Sequence, residues 1–266
     1  MDIREAELER YKTRRRKAGA APATVNRELS TLRRAFNLAE RVSLVARVPT
    51  FDLYPERNYV RKGFLQPAEF DKLRAALRPR LRPLAEVAYI TGWRKGELLS
   101  RNWPHVDFEG GWIRLEPGES KSGAARQFPL IPDLRAILET QRDRRERVEQ
   151  EYGVEVTALF FYFEPSRNGL PPGRRIRTFR RAWKTAATEA GVPDLLFHDL
   201  RRSSVRNLVR AGIPERVAMA YTGHQTRSVF DRYNIVSESD LREQAEKLQA
   251  FRDENGLKTG ERRQAK

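Results

Sequence analysis

The stretch that decides the fold is FHDLRRSS, residues 197–204, and a second motif, GHQTRSVFDRY, follows at residues 223–233. His198 and Arg201 are three positions apart in the first motif, so on a helix they share one face and can both reach one small anion. The amide groups at the start of that helix would add donors to the same place. The motif therefore predicts a helix N-terminus that binds an anion, although a capped, solvated helix start has the same pattern.

An arginine upstream offers a second cationic group. Arg94 lies in YITGWRKGELLS, residues 89–100, two positions after Gly92 interrupts the predicted helix. A buried arginine at such a break needs a carboxylate or a phosphate as its partner, and both Glu97 and a bound phosphate are suitable. A surface arginine of a basic protein is the other interpretation of this position.

Three more side chains complete a set that can cut a phosphodiester. Lys121 lies in ESKSGAARQ, residues 119–127, where a turn is predicted, and Tyr233 follows His224 by nine positions. One at a time, a turn lysine and a tyrosine at a helix end are ordinary. Together with the two arginines and His198, they supply a nucleophile, two groups that neutralise charge, proton-transfer groups and a general acid.

The composition favours a polyanionic partner. The 266 residues include 52 Lys and Arg against 36 Asp and Glu, which gives a formal charge of +16 and an isoelectric point near 10.5. Nucleic acid is the leading candidate, and a generally basic or membrane-surface protein is the alternative. The absence of cysteine excludes disulfides, thiolate catalysis and cysteine-based zinc sites. No paired-carboxylate or His-rich ligand set accompanies the basic groups, so we expect no metal and no cofactor.

We expect a cytoplasmic protein. No apolar run approaches the ~20 residues needed to cross a bilayer, and residues 1–19 lack the apolar stretch of a signal peptide. These patterns predict a chain that stays in the cytoplasm without a membrane partner and is associated with the nucleoid if its partner is DNA.

The periodicity predicts a mainly α-helical chain with one small antiparallel β-sheet. Short β-rich runs at 106–108, 112–116 and 126–130 are separated by glycine-containing turns. The run ALFFYF, residues 158–163, fits either a buried extended segment or a short helix. One helix is predicted to start at Pro67, and others are predicted at 132–150, 177–190, 199–211, 214–222 and 226–233.

Apolar stripes near the two ends of the chain need partners. Residues 24–40 are predicted to form a helix with its apolar residues on one face and Thr24 as the N-cap. Residues 47–63 are interpreted as a linker. In the tail, residues 234–266, a predicted helix has an apolar seam, and residues 255–266 have the composition of a disordered segment. The seam can dock on another protomer or fold back in cis. Its residues are Leu241, Ala245, Leu248 and Phe251.

With these motifs in order, the sequence resembles the tyrosine recombinase family of the phage-integrase type. The resemblance implies that family's DNA breaking-rejoining catalytic fold, preceded by a partial helical core-binding domain that we expect to be truncated. The expected domains are 1–60, the partial core-binding domain and linker; 61–235, the catalytic domain; and 236–266, the C-terminal helix and tail. The match covers about residues 64–235 and takes in Arg94 in TGWRKGELLSRNWPHVDF, the hairpin lysine Lys121, His198 and Arg201 in HDLRRS, His224 in GH and Tyr233 in RY.

The resemblance also implies roles for these side chains. Tyr233 would attack the scissile phosphate of duplex DNA, forming a 3′-phosphotyrosyl link and freeing a 5′-hydroxyl. Arg94 and Arg201 would hold the non-bridging oxygens, and Lys121 would protonate the departing oxygen. One histidine, His198, would accept the tyrosine proton or orient the phosphate, and the other would donate a hydrogen bond to the phosphate.

The implied activity is that of a site-specific recombinase or integrase of a mobile element, with no metal or cofactor. Its partner would be double-stranded DNA, on which four protomers assemble and exchange their C-terminal segments, here residues 238–252. Two alternatives remain open: a type IB topoisomerase-like enzyme that relaxes a single duplex, and a non-catalytic DNA-binding protein of the same fold.

Overall fold

The computed structural model describes residues 3–55, 63–119, 123–166, 168–231, 233 and 238–255. The chain divides into two units, residues 1–62 and 63–266. Three predicted features lie outside the described residues: the site residue Lys121, residues 56–62 of the predicted linker, and residues 256–266 of the segment predicted to be disordered.

The first unit is built on two helices, α1 (Glu5–Lys17) and α2 (Pro22–Arg41). Their contact buries Leu8, Val25 and Leu29. Thr24 is not the N-cap that the sequence suggested, because α2 begins with proline at its first position, where a missing N–H and a fixed φ are favourable.

The second unit contains the other helices and a sheet, so the prediction of a mainly helical chain with one small sheet is confirmed. Its large core draws on most of the helices and all three strands. The helices are α3 (Pro67–Ala76), α4 (Arg82–Thr91), α5 (Lys95–Leu99), α6 (Pro132–Tyr152), α7 (Arg180–Glu189), α8 (Asp199–Arg210), α9 (Glu215–Thr222), α10 (Arg227–Phe230) and α11 (Glu238–Glu254).

The sheet has three antiparallel strands in the order β1 (Val106–Asp107), β2 (Trp112–Leu115) and β3 (Arg126–Pro129). Ile113 pairs with Val106 on one side and with Phe128 on the other. The predicted runs are therefore the observed strands to within a residue at their ends. The run 158–163 takes the extended form, with isolated bridges at Ala158 and Phe161.

Helix α8 is held in the middle of the second unit by its own serines. The hydroxyl of Ser203 accepts a hydrogen bond from the backbone N–H of Leu65 at 2.8 Å, and the hydroxyl of Ser204 donates to the carbonyl of Ile90 at 2.9 Å. The second bond ties α8 to α4, next to the loop that carries Arg94. The Ser204 bond thus helps to hold the two arginine-bearing segments together.

Helix α11 leaves its apolar seam uncovered in the single chain. The exposed fractions of Leu241, Leu248 and Phe251 are 63%, 60% and 57%. Over the residues that the structure describes, no helix is long and apolar enough to cross a membrane.

Candidate active site

Five of the six predicted site residues are described, and the second unit gathers them around one point. Tyr233 and His198 form the closest pair: the phenolic Oη lies 2.9 Å from Nε2 of His198. The tyrosine ring also lies 4.7 Å from the ring of His224 and 5.6 Å from the guanidinium carbon of Arg201. The structure therefore places the predicted nucleophile beside its predicted partners in one chain.

The position of Tyr233 depends on where α10 ends. A helix was predicted over 226–233, but α10 stops at Phe230, and the N–H of Tyr233 donates to the Phe230 carbonyl at 2.8 Å. Phe230 is buried in a small cluster with Val205 and Ala218, and Tyr233 packs against that cluster. The buried phenylalanine anchors the turn, which leaves the tyrosine half-buried beside α8.

His198 is suited to accept a proton. Its outer edge is open to solvent, yet desolvation by the surrounding protein, followed by the charge of Arg201, lowers its pKa from the usual value. A neutral imidazole with its proton on Nδ1 presents Nε2 as an acceptor to the Tyr233 hydroxyl.

Arg201 is a buried cation bound to neutral groups. Its Nη1 donates to the carbonyl of Gly92 at 2.7 Å and to that of Thr222, and its Nη2 lies 2.9 Å from Nε2 of His224. Burial first and the nearby charge of Arg94 second lower its pKa. Within the described ranges no carboxylate lies within salt-bridge distance of this guanidinium. A buried charge of this kind is costly unless an anion receives it, so the arrangement fits an anionic ligand.

The hydrogen bonds of His224 define its tautomer. The Thr222 hydroxyl donates to the Ala218 carbonyl at 2.7 Å, so it accepts from Nδ1 of His224, which lies 2.7 Å away. The other ring nitrogen, Nε2, then accepts from Arg201. Burial, and next the charge of Arg201, lowers the His224 pKa to about 3. His224 is therefore neutral at physiological pH.

Arg94 opens α5 and pairs with a carboxylate of the same helix. Its backbone N–H donates to Oε2 of Glu97 at 2.8 Å, and its Nη1 donates to Oε1 at 2.8 Å. Of the two partners that the sequence left open, Glu97 is present. The Arg94 side chain is 32% exposed, so it keeps access to solvent and to a ligand.

Sequence reasoning missed one buried charge at this site. Arg126, on β3, lies 2.6 Å from Glu97 and donates to the Thr222 carbonyl at 2.6 Å. Arg126 and Phe128 alternate with exposed Gln127, so the period of the strand places the arginine on the inward face. That alternation was the available signal.

The site offers donors for an anion. Among the described residues, no group of three or more histidines and carboxylates could hold a metal ion. The charged groups that converge are the guanidinium groups of Arg94, Arg126 and Arg201 and the carboxylate of Glu97, which leaves a net positive charge beside two neutral imidazoles and one phenol. This donor set fits a phosphate oxyanion.

The sequence of residues 63–239 matches the model of the Phage integrase family. The chain is 26% identical over 234 residues to the integrase of Salmonella phage P22, and the alignment covers 87% of this chain and 59% of that integrase. The chain spans about three fifths of the length of the curated relatives that it matches first.

Two solved structures are similar in fold. The Tn1549 transposon integrase in complex with circular intermediate DNA has a TM-score of 0.69 at 16% identity, covering 92% of this chain and 85% of that one. A lambda integrase tetramer bound to a Holliday junction has a TM-score of 0.65 at 20% identity, covering 88% of this chain and 65% of that one. At these identities the likeness concerns the fold alone.

Proposed function

Because this chain belongs to the phage integrase family, we propose that it is a site-specific DNA recombinase that cuts and rejoins duplex DNA through a phosphotyrosine. The observation that carries the proposal is the 2.9 Å contact between the Tyr233 hydroxyl and a neutral His198, beside a buried Arg201. A phenol, a base and an unneutralised cation in contact are the minimum needed to attack a phosphodiester.

Cleavage is an in-line exchange of one phosphoester for another. Oη of Tyr233 attacks the phosphorus and passes its proton to Nε2 of His198. The bond from phosphorus to the 5′-oxygen breaks, and Lys121 protonates that oxygen. The product is a 3′-phosphotyrosyl link with a free 5′-hydroxyl, and attack by a 5′-hydroxyl of partner DNA reverses the exchange. The number of phosphoester bonds is unchanged, so the step needs no energy source.

Arg201 and Arg94 hold the non-bridging oxygens. Arg201 is fixed by the carbonyls of Gly92 and Thr222 and, among the described residues, has no carboxylate within salt-bridge distance, so the phosphate would be its ion-pair partner on binding. Arg94 is shared between Glu97 and the ligand. Loss of one such donor typically costs ~10²–10³ in rate.

His224 supports Arg201 and then the phosphate. In its present tautomer it accepts from Arg201 and cannot donate through Nε2. The phosphodiester, a monoanion that gains negative charge in the transition state, would raise the pKa of the ring, since an opposite charge favours the protonated form. Protonated His224 donates the hydrogen bond expected from the sequence.

The rest of the chain supplies DNA contacts and assembly. We assign residues 1–60 to a helical core-binding segment and linker, 61–235 to the catalytic domain, and 236–266 to the C-terminal helix and tail. Four protomers assemble on double-stranded DNA in the cytoplasm, at the nucleoid. The exposed seam of α11 supports docking of this helix on a neighbouring protomer rather than folding back in cis.

Trapping of the covalent adduct tests the proposal. The wild-type chain is incubated with a pool of nicked duplexes of random sequence, in which strand release prevents religation, and protein-bound DNA is counted after denaturation. We expect an adduct with the wild type and with Tyr221→Phe, which alters a nearby phenol, and none with Tyr233→Phe. A wild-type chain that only binds DNA would show a non-catalytic protein, and efficient relaxation of one plasmid without recombinants would show a topoisomerase-like enzyme.

A further inference from the structure

Arg126 is a buried arginine that reaches the site from the sheet. Its side chain and that of Glu97 are each 5% exposed. One guanidinium nitrogen, Nη2, lies 2.6 Å from Oε1 of Glu97, and the other, Nη1, donates to the Thr222 carbonyl at 2.6 Å. One end of its fork is therefore hydrogen-bonded and the other is ion-paired, both inside the protein.

Each partner of Arg126, one ion-paired and one hydrogen-bonded, also serves one of the two arginines proposed to bind the phosphate. Oε1 of Glu97 accepts from Arg94 at 2.8 Å. The Thr222 carbonyl accepts from Arg201. Arg126 thus joins the two arginines through one shared carboxylate and one shared carbonyl, although α5 and α9 belong to distant parts of the chain.

We propose that Arg126 is a positioning residue, which sets the spacing of Arg94 and Arg201 around one phosphate. The inference rests on the proposed function and adds a residue that does not touch the substrate. A guanidinium holds its two terminal nitrogens at a fixed separation in one plane, so it can define the distance between its hydrogen-bonded carbonyl and its ion-paired carboxylate. A lysine in its place would supply the charge but only a single donor centre.

The surroundings of Arg126 leave it little freedom. The chain passes over its guanidinium at Gly223, where a Cβ would overlap Nη1 and Cζ, and the backbone has φ +72°. Thr222 and His224 flank this glycine. The guanidinium is consequently enclosed by the same turn that carries His224 and the carbonyl shared with Arg201.

The charges agree with this arrangement. Burial of Glu97 opposes its ionisation, but the N–H of Arg94 and the charge of Arg126 outweigh burial and lower its pKa. The ionised carboxylate between two guanidinium groups leaves one net positive charge for the ligand. Without Arg126, the single charge of Glu97 would cancel that of Arg94, and the pair would have no net charge to offer the ligand.

The test compares a charged and a neutral scissile group. Adduct formation is timed on a nicked duplex with an ordinary phosphate and on one with a methylphosphonate, in which a methyl group replaces one non-bridging oxygen and the negative charge is lost. Arg126→Met should slow the reaction on phosphate roughly 10- to 100-fold, below the loss expected for a direct donor. On methylphosphonate, Arg126→Met should reduce the rate of adduct formation by a factor several times smaller, because the two arginines then have less negative charge to neutralise.

Two further variants separate positioning from general stability. Arg175→Met removes a half-buried arginine that binds the carbonyls of Leu99 and Arg101 and the Asn102 side chain, with no acceptor shared with Arg94 or Arg201. This variant should reduce the rate of adduct formation by the same factor on both substrates. Arg126→Lys keeps the charge and should still be slower than the wild type on phosphate, and it replaces Arg126→Met if the latter does not fold.

The outcomes are distinguishable. Equal losses on the two substrates for the Arg126 variants, or full activity of Arg126→Lys, overturn the positioning role while leaving the recombinase intact. A wild-type chain that forms no adduct on either duplex overturns the proposed function and this inference with it.

Discussion

At the scale of single residues, desolvation first and the neighbouring arginine charges second lower the pKa of both site histidines and keep them neutral. His224 has the larger change, with its pKa lowered to about 3 by burial and then by Arg201. Desolvation, and then the charge of Arg201, also lowers the pKa of His198. The proposed attack by Tyr233 needs a neutral base, so burial would favour that chemistry at the expense of stability in acid.

The free energy of unfolding should therefore decrease as the pH is lowered below 6.5. In the unfolded state His224 takes up a proton near its usual pKa of 6.5, whereas in the folded state it stays neutral down to about 3. The unfolded state binds more protons in this window, so the free energy of unfolding decreases as pH decreases. Between pH 6.5 and about 5 ordinary carboxylates are still ionised, and the histidines dominate.

Urea unfolding at several pH values between 5 and 7 measures this effect. His224→Gln keeps an acceptor for Arg201 but cannot titrate, and we expect a shallower dependence on pH than in the wild type. An unchanged slope in this variant would show that His224 takes up protons equally in the folded and unfolded states, so that its pKa is not lowered by folding.

The rate of adduct formation should depend on His198 in a related way. Because the base must be neutral, the rate should rise with pH through a pKa below the usual histidine value and be level at neutral pH. His198→Gln should remove this rise and lower the rate by ~10²–10⁴, the usual contribution of a general base. A preserved rise in the variant would assign the titration to another group.

At the scale of elements, the end of α4 connects the fold to the site. Gly92 caps the helix with φ +66°, and a Cβ there would lie 2.9 Å from both Ser204 Oγ and Thr222 Cγ2. Its carbonyl also accepts from Arg201. Packing between α4, α8 and α9 is therefore tight at the point where the arginine is held.

Gly92→Ala should lower both stability and rate. The left-handed conformation costs an alanine ~1 kcal/mol, and the crowding adds about 1–3 kcal/mol. Gly191→Ala is the matched control, since Gly191 has φ +79° but no atom within 4 Å of an added Cβ. Denaturant unfolding should show the larger loss for Gly92→Ala, and equal losses would mean that the crowding is relieved without cost.

The second element with a clear expectation is α11. Replacement of Leu241, Leu248 and Phe251 by serine should leave the unfolding of the single chain almost unchanged, because these side chains are already exposed. The same change should reduce assembly on DNA, measured by sedimentation of the complex. Gln249→Ala, on the same helix, serves as the control. A large loss of stability in the triple variant would instead indicate that the helix folds back in cis.

At the scale of the whole molecule, the charge of +16 should make DNA binding strongly dependent on salt. If about 8 to 10 phosphates are contacted, the logarithm of affinity against the logarithm of salt concentration should have a slope of roughly −7 to −9. Titration of a labelled duplex at several salt concentrations measures it. A flat profile would contradict binding through the phosphate backbone.

Much of the second unit could be predicted from local pattern. The glycine turns located the strands near 106–107, 112–115 and 126–129, and the recurrence of apolar residues every three to four positions located most helices to within three residues. Errors arose where a neighbouring element sets the boundary. Buried Phe230 ends α10 early and turns the chain, and that contact is not visible in the helical pattern of 226–233.

The sequence by itself determined the family and the types of group at the site, because those depend on side-chain chemistry and on short spacings such as His198 to Arg201. Only the tertiary structure decided which groups share partners. Arg126 meets the Thr222 carbonyl across 96 positions, and Arg201 meets the Gly92 carbonyl across 109. Such contacts depend on how separate segments pack, and a local period carries no information about the segment on the other side of the core.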